Sequence, residues 1–145
     1  MSDIVDMALL RHLRQNSRQH LTEIGREHDV PVTTLVGSLK RIKDKFGVKC
    51  TTIVDFKPIG HGIRAGFAMK TARKAKRKPL EDFLVSSPST NNVLRLGEDY
   101  DYLADALFRN VRELYNFEEE LRKFGLSRLE EIHFIEELAC EKFVP

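Results

Sequence analysis

The sequence predicts an α+β chain with three helices in the first 50 residues and a βαββαβ unit over residues 63–145. Apolar residues recur at helical spacing as far as Phe46, and short apolar runs alternate with helical segments after residue 62. A stretch with Pro and Gly punctuation separates the two parts. We therefore expect a domain at 1–50, a strand and hinge linker at 51–62, and a domain at 63–145.

The N-terminal part is predicted to contain helices over Asp3–Asn16 and Leu21–His28, and a third helix that begins at Val32. The segment "HDVP" breaks the second helix, and Asp29 lies where the chain must turn sharply. In the third helix, apolar residues spaced 3, 4, 3 and 4 apart form a narrow stripe that must face a core: Val32, Leu35, Leu39, Ile42 and Phe46.

Two helices joined by a short turn, the second with small polar and basic outer residues, are typical of a helix-turn-helix. An outer face that enters the major groove must lack bulky apolar residues and offer donors to bases and phosphates. The predicted DNA-binding residues are Thr33, Thr34, Gly37, Ser38, Lys40, Arg41, Lys43 and Lys45. The alternative is a three-helix bundle whose third face is only solvated.

The segment "VKCTTIVDF" is rich in β-branched residues and predicts a strand behind the third helix, as in a winged helix. In the C-terminal part, strands are predicted at Ile63–Thr71, around Val93 to Leu96, and at Tyr102–Phe108 and Ile132–Leu138. Helices are expected around Leu80 to Leu84 and after Asn110, which with Glu113 forms a capping box. This order is ferredoxin-like, with an antiparallel sheet and both helices on one face.

Composition and charge restrict the function classes. The chain has 145 residues, 41% hydrophobic and 32% charged, and contains no apolar run long enough for a membrane span. Residues 61–80 carry seven Lys/Arg and no Asp/Glu, whereas residues 81–145 carry seven Lys/Arg against 15 Asp/Glu. A basic first half favours a polyanionic partner. The N-terminus does not resemble a signal peptide, so a cytoplasmic protein is expected.

Cys50 and Cys140 lie far apart and lack nearby Cys or His, so neither a disulfide framework nor a metal site is predicted. The basic run from Arg73 to Lys78 admits three readings: a second DNA contact, a solvated loop, or a partner for acidic residues of a neighbouring subunit.

Both halves resemble the leucine-responsive regulator/AsnC (feast/famine) family of prokaryotic transcription regulators over nearly the whole chain. "DIVDMALLRHLRQNSR" is similar to the first helix of the family, "LTEIGREHDV" to its second helix, and "VDFKPIG" to its interdomain link. "LGEDYDYL" resembles the family's T-G-x-x-D-x-L loop, with Leu96 in place of the threonine. Pro31 and Ser38 also depart from the family's usual Ser and Arg in the recognition helix.

The resemblance implies a regulator that binds a double-stranded DNA operator as a homodimer, tetramer or octamer, without a cofactor, metal or catalytic residues. It also implies an amino-acid effector that binds at the loop between the second and third strands of the C-terminal domain. The candidate effector-binding residues are Gly97, Glu98, Asp99, Tyr100 and Asp101. The glycine allows a tight turn, and the carboxylates can accept from an ammonium group.

Two other functions remain open from the sequence. Some proteins with this layout resemble tetrapyrrole (siroheme-type) decarboxylases, which need His and Arg side chains around a cavity. His61, Arg64, Arg95 and His133 are the candidates for that role. The other alternative is an architectural DNA-binding protein that responds to no effector, a reading that the unusual loop residues favour.

Overall fold

A computed structural model describes residues 2–145 and divides the chain into two compact units. The first unit holds the chain up to Ile53 together with Ala139–Pro145, and the second holds Val54–Leu138. None of the helices in residues 2–145 has the length and apolar character needed to cross a membrane.

The first unit contains the three predicted helices: α1 (Ser2–Gln15), α2 (Leu21–His28) and α3 (Val32–Phe46). Asp29 takes a left-handed conformation, with φ of 52°, and so ends α2 at the predicted turn. The helices enclose a core of Leu9, Ile24, Leu35 and Ile42. The C-terminal tail belongs to the same unit, since Arg14 of α1 donates to the Phe143 carbonyl at 2.9 Å and pairs with Glu141.

The second unit has the predicted βαββαβ order: β1 (Ile63–Thr71), α4 (Arg77–Ser86), β2 (Thr90–Arg95), β3 (Tyr102–Phe108), α5 (Val111–Arg122) and β4 (Leu126–His133). Its antiparallel strands are arranged β2-β3-β1-β4, which confirms the ferredoxin-like prediction. Phe67 and Phe108 lie at the centre of the core, with Phe117 of α5 packed on both rings. The Asn110 side chain caps α5 by accepting from the Glu113 N–H at 3.0 Å.

Two predicted strands are wrong. Residues 47–62 form no strand, so the helical unit has no wing, and Ile53 is 62% exposed. Strand formation requires a partner edge, which β-branched composition alone cannot supply. The last strand is Leu126–His133 rather than Ile132–Leu138, because Gly125 turns the chain directly after α5, at φ of 66°. The apolar residues at 134 and 135 therefore follow the strand.

Candidate DNA-binding face and effector loop

The turn between α2 and α3 is fixed by a close backbone approach at Gly25. The Val30 N–H donates to the Gly25 carbonyl at 2.9 Å. A Cβ at Gly25 would lie only 2.7 Å from the Val30 carbonyl oxygen, so a side chain there requires the backbone of the turn to move. Glycine at this position therefore determines how α3 is held against α2.

The outer face of α3 carries Thr33, Gly37, Lys40 and Asp44, which are all exposed and follow one another at spacings of four, three and four. This face lies opposite the buried Leu35 and Ile42. Small residues occupy its start, which leaves room for a close approach to a base-pair edge.

The flanks of this face contain the other exposed residues that the sequence predicts for DNA binding, Thr34, Lys43 and Lys45. Lys40 and Lys43 form no hydrogen bond or ion pair within residues 2–145, whereas Lys45 pairs with Asp3 at 3.1 Å. The side chain of Val36 is 54% exposed on the same surface, and sequence reasoning did not include it.

Ser38 does not belong to this outer face, which corrects the prediction that it lies near base edges. It is fully buried, and its hydroxyl donates to a carboxylate oxygen of Asp6, itself only 2% exposed. Arg41 donates to the same carboxylate at 2.8 Å and 3.3 Å. The hydrogen bonds from Arg41 and Ser38 outweigh burial and lower the pKa of Asp6. Arg41 thus stabilises the α1–α3 contact and is not an unpaired DNA-binding cation.

Two residues of the basic run at 73–78 form ion pairs inside the second unit. Arg77 at the start of α4 pairs with Asp101 at 2.7 Å, and Lys78 pairs with Glu81 and Asp82. Arg73, Lys74 and Lys76 are exposed around a short 3₁₀ turn.

In the predicted effector loop, residues 97–99 are exposed, and Glu98 rather than Gly97 takes the left-handed conformation, with φ of 63°. Lys70 donates to the Glu98 carbonyl at 2.6 Å. The ring of the partly buried Tyr100 receives the Arg128 guanidinium at 5.4 Å. The loop is therefore held by contacts to β1 and β4.

Asp101 is buried and already has partners. Its carboxylate accepts from the Thr71 N–H at 2.9 Å and from the Thr71 hydroxyl at 2.7 Å, and Lys70 lies 3.6 Å away. Burial acts to raise the pKa of Asp101, but the Thr71 hydrogen bonds and the charges of Arg77 and Lys70 lower it overall. The prediction that Asp101 is available to an effector ammonium group is therefore corrected.

A cavity of about 290 Å³ lies beside this loop. Of the five predicted effector residues only Asp101 lines it; the full lining is Arg77, Lys78, Glu81, Arg95, Leu96, Asp101 and Tyr102. The Tyr102 hydroxyl donates to Glu81 at 3.0 Å, and Arg95 pairs with the same carboxylate. Cationic and anionic groups thus lie next to each other, as recognition of a zwitterion requires.

The residues proposed for an enzyme do not converge on one cavity. Arg64 is bound by Asp105 at 2.8 Å and by Glu137, and these partners raise its pKa well above the ordinary value. Arg95 lies at the opposite end of the sheet, beside Tyr102, whereas Arg64 is paired with Leu107. His133 is exposed beside Glu131.

Known proteins resemble the chain over almost its full length, although no protein-family model matches it. An uncharacterized HTH-type transcriptional regulator of Pyrococcus horikoshii is 23% identical over 142 residues, 97% of this chain and 95% of that protein. AsnC of E. coli superposes with a TM-score of 0.85 at 14% identity, covering 97% of both chains. A transcriptional regulator of Neisseria meningitidis, solved as a complex with L-Met, gives a TM-score of 0.84 at 18% identity, covering 97% and 94%.

Three helices followed by a βαββαβ unit therefore define the chain as having the fold of the AsnC-type transcriptional regulators. The resemblance to the leucine-responsive regulator/AsnC family, inferred from the sequence, is confirmed by these full-length matches. The similar proteins named above are transcriptional regulators, the class of protein that the sequence predicts.

Proposed function

We propose that the chain is a transcription regulator that binds double-stranded DNA through the outer face of α3. The observation that carries this proposal is the exposed row of Thr33, Gly37 and Lys40, displayed opposite the buried stripe of the same helix. Small and hydrogen-bonding side chains suit a base-reading surface, and unpaired lysines suit phosphates.

If Lys40 contacts a base edge, we expect Lys40→Ala to weaken operator binding by about 1–3 kcal/mol. If it contacts a phosphate, we expect the slope of log affinity against log salt concentration to become shallower by about one. Fragments bound from genomic DNA supply the operator, and fluorescence titrations at several salt concentrations measure both quantities. Lys123→Ala, directly after α5, is the control, because it removes the same charge from an exposed site where the lysine pairs only with Glu120. Equal affinity of the Lys40 variant and the parent protein would contradict this placement of the DNA.

We also propose a homodimer formed through the sheet face opposite α4 and α5. That face carries Ala68, Leu94, Leu103 and Leu107, each of which has a strand neighbour that packs into or against the core, and Ile132, which pairs with Gly66. Leu94 is 54% exposed and Ile132 is 44% exposed, although both belong to the sheet. A small domain commonly covers such a face with a second copy, and a helix-turn-helix uses a dimer to span two half-sites.

Sedimentation velocity should give at least twice the 16.7 kDa of one chain, and Leu94→Asp should reduce the mass toward that of the monomer. Val85→Asp places the same charge on an exposed α4 residue and should leave the assembly unchanged. A monomeric parent protein at micromolar concentration would rule out this interface as a stable one.

The effector that we propose is an amino acid that binds in the cavity beside the β2–β3 loop. Its carboxylate would be received by Arg77 or Arg95. Its ammonium group would be received by Glu81, which has partners of its own but whose side chain is 23% exposed, against 7% for Asp101. The complex of the Neisseria regulator with L-Met supports this class of ligand. Calorimetric titration with a panel of L-amino acids, methionine included, tests the proposal, and a panel without binding would favour the effector-independent alternative.

A further inference from the structure

Two histidines and a glutamate meet in the first unit, on two consecutive helices. His12 lies on α1, and Glu27 and His28 form the end of α2. One ligand atom from each of the three side chains lies within 4.8 Å of the other two. The two Nε2 atoms are 2.8 Å apart, and a Glu27 carboxylate oxygen is 3.8 Å from the Nε2 of His12.

A fourth residue orients this cluster. Gln19, in the loop between the two helices, places its amide oxygen 3.1 Å from Nδ1 of His12. An amide oxygen only accepts hydrogen bonds, so Nδ1 of His12 carries the proton and Nε2 presents its lone pair to the cluster. An outer hydrogen bond that fixes the tautomer and the ring orientation is typical of histidines that bind metals. The His12 side chain is also largely buried, at 17% exposure, so its ring position is held by packing.

We propose that His12, Glu27 and His28 bind one divalent transition-metal ion of the zinc class. Imidazole nitrogens with one carboxylate form a ligand set that suits zinc, and three protein ligands leave a fourth position for water. Two nitrogens on a tetrahedral ion are about 3.3 Å apart, given metal–nitrogen bonds of about 2.0–2.1 Å. The histidines therefore need to separate by only about half an ångström, which the exposed His28 ring can supply by rotation. His28 also has to change tautomer, because the proton that its Nε2 donates to His12 in the metal-free pair must move to Nδ1 before Nε2 can bind the ion.

The ion would join the C-terminal half of α1 to the last turn of α2, directly before the turn at Asp29. Because the three side chains come from two helices, binding requires the folded unit, and the metal therefore stabilises the folded state by mass action. This inference does not depend on DNA binding.

The test uses the untagged, metal-free full chain titrated with zinc chloride in a calorimeter and in thermal melts. We expect one ion per chain and a rise in melting temperature of about 10 °C at a hundredfold excess over Kd, reversed by chelator. His28→Gln should weaken zinc binding by more than about 100-fold, and Gln19→Ala by about 10–100-fold, since it removes only the orienting hydrogen bond. Circular dichroism of both variants without metal checks that the helices are retained.

Zinc also binds thiols, so the double variant Cys50→Ser, Cys140→Ser is the control, because both cysteines are exposed. It should bind zinc as the parent protein does. The proposal is overturned if the parent binds no zinc, if the cysteine variant loses the binding, or if a folded His28→Gln variant retains the parent affinity. In each of these cases the two histidines form only a hydrogen-bonded pair.

Discussion

Asp101→Ala is expected to destabilise the second unit by about 3 kcal/mol at neutral pH. The Thr71 hydroxyl and N–H are buried and both donate to this carboxylate, so alanine leaves two donors without a partner. The register shift between Lys70 and Thr71 makes the N–H dependent on a side-chain acceptor. The variant also leaves Arg77 beside Lys70 without their shared counter-charge.

The pH dependence gives this prediction a second readout. The pKa of Asp101 is lower in the folded than in the unfolded chain, so its contribution is complete at neutral pH and is lost as pH falls through the folded-state pKa. Urea denaturation should therefore show a difference between parent and variant at pH 7 that shrinks in acid. Asp99→Ala, at an exposed position of the same loop, is the control and should change stability by less than about 0.5 kcal/mol.

An equal stability of the Asp101 and Asp99 variants at pH 7 would show that the buried carboxylate does not hold the loop to β1. Because Asp101 holds the loop in place, an effector experiment on Asp101→Ala does not by itself identify a ligand contact. Loss of a response in Asp101→Ala follows from a displaced loop as well as from a lost ligand contact. Arg95→Ala separates these causes, because Arg95 is 73% exposed and lines the cavity without supporting the loop backbone.

Local signals were sufficient to predict the helices and the order of elements. The apolar stripe of α3, the left-handed Asp29 and the capping pair Asn110 and Glu113 each depend on residues only a few positions apart. The strands at 48–56 and 132–138 failed for the opposite reason, since a strand exists only where a neighbouring edge is free to pair with it. The second prediction also overlooked that Gly125 returns the chain to the sheet immediately.

The candidate sites were predictable only in part, because their side chains meet partners that are distant in sequence. From the sequence alone, Ser38 is predicted to be a polar outer residue, because its hydrogen-bond partner Asp6 lies 32 positions earlier. The same is true of His12 and His28, which are 16 positions apart on different helices. A polar residue next to an apolar stripe, as Ser38 is next to Leu35 and Leu39, was the one signal that a buried hydrogen bond existed.

The two helical glycines of the first unit provide the sharpest test of how α3 is positioned. Gly25→Ala is expected to destabilise the unit by about 1–3 kcal/mol, although alanine is the better helix former by about 1 kcal/mol. The reason is steric, because the new Cβ would lie 2.7 Å from the Val30 carbonyl oxygen. The backbone at this point leads directly into α3, so we expect operator affinity to fall at least tenfold as the helix is displaced.

Gly37→Ala should have the opposite effect on stability. Its Cβ would meet only the flexible Arg41 guanidinium, at 3.6 Å, so the gain in helix propensity of about 1 kcal/mol is retained and the melting temperature rises by several degrees. Operator affinity should nevertheless fall, since the added methyl group lies on the face that we propose enters the major groove. Thermal melts and DNA titrations of both variants separate the two effects. A Gly37→Ala protein that is more stable and binds its operator with parental affinity would show that α3 does not approach DNA closely at this position.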